Sequence, residues 1–85
     1  MKFRFTAHAV EQMERRRLER TVIERVLESP GQIVAQRSGR DAFQGKVHFD
    51  GGEYLVRAIV DRTIDPPAVV TAYRTRHVAK YWRQQ

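Results

Sequence analysis

The chain has 85 residues, which is enough for one domain with a small hydrophobic core. It contains no cysteine, and this excludes disulfides, thiolate metal sites and cysteine nucleophiles. Sixteen Lys and Arg against ten Asp and Glu give a net charge of +6, which is typical of a protein that binds nucleic acid or an acidic protein.

The composition also bears on where the protein works. Hydrophobic residues make up 41% and charged residues 31% of the chain, as in ordinary folded soluble domains. No apolar run approaches the roughly 20 residues of a membrane span, and the first residues lack the apolar stretch of a secretory signal. We therefore expect a single domain over residues 1–85, in the cytoplasm and without a membrane partner.

The N-terminal third predicts a short strand followed by two helices. Polar and apolar residues alternate over Lys2–Phe5, as in a strand. Thr6 is a good N-cap for a first helix over about Ala7–Arg16. A second helix carries the apolar pattern that follows "LER" and ends at "ESPG". Its N-cap is either Thr21, which has capping-box spacing to a glutamate, or the earlier Glu19.

From Gln32 onward the apolar period changes to two, which predicts strands. The strand candidates are "QIVAQ", "KVHF", "EYLVRAIVD" and "AVVTAY", and "DGGE" between the second and third is a hairpin signal. The tail "RTRHVAKYWRQQ" forms either a last short helix or a loose end. Together these elements predict an α+β fold with two N-terminal helices packed on one face of a three- to four-stranded antiparallel sheet.

Helical periodicity places three polar residues of the first helix on one stripe. His8, Gln12 and Arg16 are spaced i, i+4, i+8 at the border of the apolar face. Arginine can hold a phosphate and stabilise charge that develops on it, and histidine can transfer a proton near neutral pH. The alternative is that His8 only makes local hydrogen bonds and Arg16 complements the helix dipole. Arg17 would fall on the apolar face, so we expect the helix to end by Arg16.

The last strand and the tail interleave aromatic and basic residues, a mixture suited to single-stranded RNA. Strand alternation puts Thr71 and Tyr73 on one face, where they could orient a substrate beside His8 and Arg16. The alternative is that these aromatic side chains pack the core and hold the tail down, which we expect for Trp82. The remaining RNA-binding candidates of this region are Arg74, Arg76, Lys80 and Tyr81.

Arg57 interrupts an otherwise apolar strand. On an exposed sheet face it would be an ordinary surface residue, whereas on a helix-covered face it would need a phosphate or carboxylate partner. We include it among the RNA-binding candidates. The three histidines lack metal-ligand spacing, and there is no phosphate loop, so we expect no metal and no cofactor.

The segment "HAVEQMERRRLERTVIERVLESPGQIV", with "YLVRAIVD" and "VVTAYRT", resembles a widespread small bacterial domain of unknown function. Its signature is His-Ala-x-x-Arg-Met-x-x-Arg-Gly-Ile, and its last strand carries Val-Thr-x-Tyr. The resemblance covers Phe5 to about Lys80. Gln12 stands in place of the signature's first arginine, and Arg17 stands in place of its glycine.

That family is similar to the RelE, barnase, EndoU and colicin group of compact ribonucleases, many of them toxins of toxin–antitoxin pairs. The resemblance implies a RelE-like fold and metal-independent RNA cleavage. His8 and Arg16 match the signature's histidine and second arginine, and Thr71 and Tyr73 match the final motif.

Three functions remain open at this point. The leading hypothesis is a ribonuclease toxin neutralised by an acidic antitoxin. In it His8 is general acid or base, Arg16 stabilises the phosphorane with Arg74 as a second candidate, and Tyr73 or Thr71 orients RNA. The second is a non-catalytic RNA- or ribosome-binding module. The third is an interaction protein whose basic face meets an acidic partner, with edge-strand pairing at Lys2–Phe5.

Overall fold

A computed structural model of the protein describes residues 2–49 and 51–84. The described chain forms, in order, β1 (Arg4–Phe5), α1 (Ala7–Arg15), α2 (Arg20–Glu28), β2 (Gln32–Ala35), β3 (Asp41–Phe49), β4 (Gly52–Asp61), β5 (Ala68–Thr75) and α3 (Val78–Tyr81). Asp50 of the predicted "DGGE" turn lies outside the described residues, although strands β3 and β4 pair on both sides of it. In the part of the chain described, no helix is long and apolar enough to span a membrane.

The sheet has five strands in the order β1-β5-β4-β3-β2, and it is mixed. Strand β1 runs parallel to β5, with Arg4 opposite Ala68, whereas the other neighbouring pairs are antiparallel. Backbone hydrogen bonds from Arg4 N to Pro67 O and from Thr6 N to Val69 O, both 3.0 Å, fix this pairing. Residue alternation reveals a strand but neither its partner nor its direction.

The predicted architecture, two helices on one face of a three- to four-stranded antiparallel sheet in a RelE-like arrangement, is therefore wrong. The protein is a small α+β fold with a five-stranded mixed sheet and short helices, the longest described ones having nine residues. The N-terminal strand accounts for the difference, because it joins the sheet as a fifth strand and runs parallel to β5. The tail forms helix α3, one of its two predicted alternatives.

Helix α1 is defined at both ends by local hydrogen bonds. The Thr6 hydroxyl accepts from Ala9 N at 3.1 Å and donates to Val70 O at 3.3 Å, so the N-cap residue also ties the helix to β5. At the other end Arg17 N donates to Glu14 O and Leu18 N donates to Met13 O. These two bonds form a Schellman motif, which requires a left-handed residue at Arg17, and its φ is 54°.

Helix α2 starts after Glu19, the earlier of the two predicted caps, and Thr21 lies inside it. Its buried residues Ile23, Val26 and Leu27 follow the helical period and face the sheet. The helix ends at Glu28, with Ser29 as its C-cap just before Pro30, as the "ESPG" signal predicts.

The sheet has two faces with different partners. On the first, here called the helix face, Val56, Ala58 and Val60 of β4 join the buried residues of α1 and α2 in one hydrophobic cluster. Side chains of β4 that alternate with these point to the second face, here called the tail face. Cross-strand register places Gln44, Arg57, Thr71 and Tyr73 on the tail face, where α3 and the residues after it pack.

Candidate functional site

The centre of the tail face is a contact between Arg57 and Tyr73. The two residues lie directly opposite each other on β4 and β5. Arg57 Nη1 donates to the Tyr73 hydroxyl oxygen at 2.5 Å, and the Arg57 Cζ lies 5.7 Å from the centre of the Tyr73 ring. Because the phenol oxygen accepts this bond, its own proton is left to be donated elsewhere.

Gln44 holds Arg57 from the opposite side. It is fully buried and stands opposite Arg57 on β3, where its Oε1 accepts from Arg57 Nε at 2.8 Å. Gln44 Nε2 donates to Gln32 Oε1 at 2.9 Å and to Tyr81 O at 3.1 Å. The amide thus links three strands to the C-terminal helix, and it fixes the plane of the guanidinium between them.

Tyr81 closes the cluster from helix α3. Its ring lies 4.3 Å from Arg57 Cζ and makes an edge-to-face contact with Tyr73 at 6.3 Å between centroids. Lys80 Nζ lies 5.3 Å from the Tyr81 ring. Beside the ring is an open pocket of about 300 Å³, lined by Val34, Gln36, Arg57, Lys80, Tyr81 and Arg83.

The Arg57 cation has no carboxylate partner among the described residues, although it is only 5% exposed. The ion pairs within residues 2–49 and 51–84 are Arg15–Glu11, Arg20–Glu24 and Arg62–Asp41. Burying a cation with only neutral acceptors and aromatic faces is costly for folding.

One nitrogen of this guanidinium, Nη2, is available to donate to a ligand. Nε and Nη1 of Arg57 are bonded, whereas Nη2 has no hydrogen-bond partner among the residues described. Every fully buried side-chain nitrogen and oxygen in that part of the chain is bonded, so Nη2 must contact solvent. The arrangement therefore leaves a fixed, uncompensated positive charge with a free donor, which suits an anionic ligand.

Arg16 brings a second guanidinium to Tyr73. It follows the last residue of α1, and its Cζ lies 5.8 Å from the Tyr73 ring centre. Gln12 Oε1 accepts from Arg16 Nε at 3.3 Å, one turn earlier on the same stripe. Helix α1 packs against β5, the strand that carries Tyr73, and the Arg16 side chain just after the helix extends to the Tyr73 ring.

His8 lies on the Gln12–Arg16 stripe but is not joined to the cluster. Its side chain is exposed and makes no hydrogen bond to any residue the structure describes. Eight residues of helix separate its Cα from that of Arg16 by about 12 Å. Thr71 is partly buried on the tail face, two residues before Tyr73 on β5.

Arg74 and Arg76 lie away from this cluster. Register places Arg74 opposite Val56, on the helix face, and its Cζ lies 4.7 Å from the Phe49 ring. Arg76 Nε donates to the Tyr54 hydroxyl at 2.9 Å near the end of the β3–β4 hairpin. Of the RNA-binding candidates, Arg57 and Tyr81 contact Tyr73, whereas Gln12 contacts Arg16 and Lys80 contacts the Tyr81 ring. Arg74 and Arg76 lie apart from these residues.

Gln44 is the residue of this site that sequence reasoning missed. The prediction began the second strand at Lys46, whereas β3 begins at Asp41. With the strand extended, Gln44 is a polar residue opposite Arg57, and that pairing is the signal that could have identified it. Within the described ranges, no cluster of three or more His, Cys, Asp or Glu side chains is placed to bind a metal ion.

Comparison with known proteins gives a family. No curated protein and no solved structure matches the chain. Residues 5–74 match the family described as a domain of unknown function, DUF4258. The match includes α1, α2 and nearly all of the sheet, and so it contains His8, Gln12, Arg16, Arg57 and Tyr73. Lys80 and Tyr81 lie beyond its end. The chain belongs to the DUF4258 family.

Proposed function

We propose that this domain binds single-stranded RNA on the tail face and cleaves it without a metal ion. The observation that carries the proposal is that two guanidinium groups, Arg16 and Arg57, lie near the Tyr73 ring, with the Tyr73 hydroxyl bonded to Arg57. Two cations beside a hydroxyl that can still donate its proton suit a phosphodiester whose charge increases during reaction.

Binding would combine phosphate contacts with base stacking. Arg57 Nη2 and Arg16 are the groups for a phosphate, since guanidinium groups donate to its oxygens in a fixed geometry. The partly exposed ring of Tyr81, with Lys80 beside it, offers a face on which a base can stack. The adjoining pocket, which Arg57 and Arg83 also line, gives the backbone a cationic path.

Cleavage would be an internal transesterification. The RNA 2′-oxygen attacks the neighbouring phosphorus and loses its proton to a base, and the bond from phosphorus to the 5′-oxygen breaks as that oxygen gains a proton. The products are a 2′,3′-cyclic phosphate and a 5′-hydroxyl. Arg16 and Arg57 stabilise the extra negative charge of the phosphorane, Tyr73 donates a hydrogen bond to it, and His8 serves as proton acceptor or donor.

We further propose that the family is related to the RelE, barnase, EndoU and colicin ribonucleases in activity, and that the protein is a toxin bound by an acidic antitoxin. The support is the His8–Arg16 spacing, the Thr71–Tyr73 motif and the charge of +6. Ribosome-bound RNA is a substrate that this basic surface would also suit.

An RNA cleavage assay with purified variants tests the proposal. Arg16→Ala and Tyr73→Phe should each lower the rate of cyclic-phosphate formation by about 10²–10³-fold, as for loss of one transition-state donor. His8→Ala should lower it by about 10²–10⁴-fold, as for loss of a general acid or base. Arg15→Ala is the control, because Arg15 is exposed on the same helix and pairs with Glu11. Equal cleavage by all these proteins, or its loss when EDTA is added, would refute the mechanism.

A second candidate is a non-catalytic RNA-binding module. It is favoured by the position of His8, which is exposed and lacks any described contact to Arg16 or Tyr73. In that case RNA would bind with an affinity that falls steeply with salt, and no cyclic phosphate would form. Arg16→Ala would then weaken binding, and His8→Ala would leave both binding and products unchanged.

A further inference from the structure

Strand β3 has an edge that the sheet leaves half open. It runs over Asp41–Phe49, but β2 pairs only with its first four residues, up to Gln44. No other strand of the described chain pairs with the outer edge of residues 45–49. This unpaired edge is longer than β1, which has only two residues and is the edge where sequence analysis placed strand pairing.

The register shows which backbone groups point outward. Gln44 O accepts from Gly31 N at 2.9 Å, so the backbone of Gln44 faces the β2 side. In an antiparallel ladder alternate residues direct both their N–H and their C=O to the same neighbour. Lys46 and His48 therefore point their backbone N–H and C=O groups outward, away from β4. No strand of the described chain forms hydrogen bonds with these groups.

A groove runs beside this edge on the helix face. It has a volume of about 520 Å³ and lies between α2 and β3. Val22 and Val26 of α2 and Val47 of β3 give it an apolar wall, and Val26 lies within 3.4 Å of where a Cβ on Gly45 would stand. A strand added to β3 would place every second side chain in this groove.

The other side chains of an added strand would meet the positive charge of Lys46. They would lie on the tail face beside Lys46 and His48, both exposed, with Glu53 on β4 as the cross-strand neighbour of His48. Lys46 is held there, with its Nζ 4.3 Å from the Trp82 ring centre. At the rim of the groove Arg25 adds another cation, against the single carboxylate of Glu28.

These observations define one occupant. We propose that the outer edge of residues 45–49 is a docking site for an extended segment of an acidic partner protein, apolar at alternate positions and acidic between them. The apolar positions fill the groove under α2, and the acidic ones face Lys46. A second copy of this chain is a poor occupant, because it would bring a second Lys46 to the same edge.

Backbone hydrogen exchange tests the site independently of RNA cleavage. The probe is a short synthetic peptide in which valine and glutamate alternate, and the control peptide alternates valine and lysine. At millimolar concentration the glutamate peptide should slow exchange of the Lys46 and His48 amides by about tenfold or more. The Val47 amide, already directed to β4, should change little. Equal protection by both peptides, or none by the glutamate peptide, would overturn the proposal.

Two substitutions at His48 isolate the backbone contribution. His48→Pro removes an outward N–H without touching the β3–β4 ladder, a position where proline is tolerated in edge strands. It should abolish protection at Lys46, whereas His48→Ala, which keeps the N–H, should retain most of it. Retained binding by His48→Pro would refute strand addition.

A charge reversal and an RNA competitor complete the test. Lys46→Glu alters an exposed side chain, so the protein should still fold. The variant should bind the glutamate peptide at least tenfold more weakly. Protection of Lys46 and His48 by an RNA oligonucleotide but not by the peptide would show that nucleic acid occupies the edge, and would overturn the assignment.

Discussion

Arg57 and Tyr73 are cross-strand neighbours whose side chains are bonded through Nη1 and the phenol oxygen. The bond lies on the sheet face opposite α1 and α2, beneath α3. Arg57 is almost buried and forms no ion pair with any carboxylate that the structure describes, so its other neighbours must stabilise its charge. Gln44 accepts the other hydrogen bond of the guanidinium. The contribution of this Gln44–Arg57 bond to stability can therefore be measured with a double-mutant cycle.

We predict that Gln44 and Arg57 are energetically coupled. Gln44→Leu leaves the Arg57 Nε donor without its hydrogen-bond acceptor, and Arg57→Met leaves the buried Gln44 oxygen without a donor. Each variant should therefore lower the free energy of unfolding by about 1–3 kcal/mol. The double variant removes both partners and should cost less than the sum of the single changes, by about 0.5–3 kcal/mol. Urea denaturation of the four proteins measures the coupling.

The matched control for this cycle is Gln44→Leu combined with Arg15→Ala, since Arg15 lies on the far surface of α1. That pair should be additive within about 0.5 kcal/mol. Additivity in the Gln44–Arg57 pair as well would mean that the hydrogen bond between them contributes nothing to stability.

This network also marks the limit of what the sequence could predict at the site. Periodicity correctly put Arg57 and Tyr73 in strands, because apolar alternation is a local property. It could not pair them, since pairing depends on register across β3, β4 and β5. The ribonuclease hypothesis named Arg74 as a second candidate, with Arg16, for stabilising the phosphorane. The register instead puts Arg74 opposite Val56 on the helix face, next to Phe49.

We predict that Arg17→Gly stabilises the protein. Arg17 has φ of 54° at the position after the α1 cap, where glycine has no Cβ penalty. The gain should be about 1 kcal/mol, which raises Tm by about 4–8 °C in a domain of this size. Calorimetry measures it.

Arg17→Ala is the control, because alanine removes the guanidinium but keeps the Cβ. It should leave Tm within about 2 °C of the parent, by the same conversion. An equal rise in both variants would assign the gain to removal of charge, and would contradict the backbone explanation.

Thr6 should contribute to stability through its hydroxyl. The oxygen caps Ala9 N, and the proton goes to Val70 O of β5. Thr6→Ala should therefore lower the free energy of unfolding by about 0.5–2 kcal/mol. Thr6→Ser keeps the hydroxyl and should retain most of this stability, as denaturation curves would show. Equal losses for serine and alanine would attribute the effect to the missing methyl group.

The same residue shows how much of the fold was accessible from sequence. Thr6 was identified as a cap because the rule involves only residues within one turn. The bond from Thr6 to Val70 and the parallel pairing of β1 with β5 join residues more than 60 positions apart. No local pattern reports such contacts, and this is why the sheet was predicted with too few strands and without its parallel pair.

The last prediction concerns Asp61, at the end of β4. The Thr63 hydroxyl and the Thr63 backbone N–H both donate to Asp61 Oδ1, at 2.6 and 2.9 Å, and they hold the pKa of this carboxyl below its ordinary value of 3.8. Arg40 adds a smaller effect in the same direction. Because the folded pKa is the lower one, Asp61 stabilises the fold above about pH 3.8, and this contribution is lost as pH falls through the folded pKa.

Thr63→Val removes the hydroxyl donor and keeps the backbone one, so it should raise the Asp61 pKa towards 3.8 without reaching it. Thr63→Ser keeps both donors and should leave the pKa as in the parent. The carboxyl ¹³C chemical shift of Asp61, followed by NMR from pH 6 to pH 2, reads the pKa directly. An unchanged pKa in Thr63→Val would show that the hydroxyl bond does not stabilise the ionised carboxylate in solution.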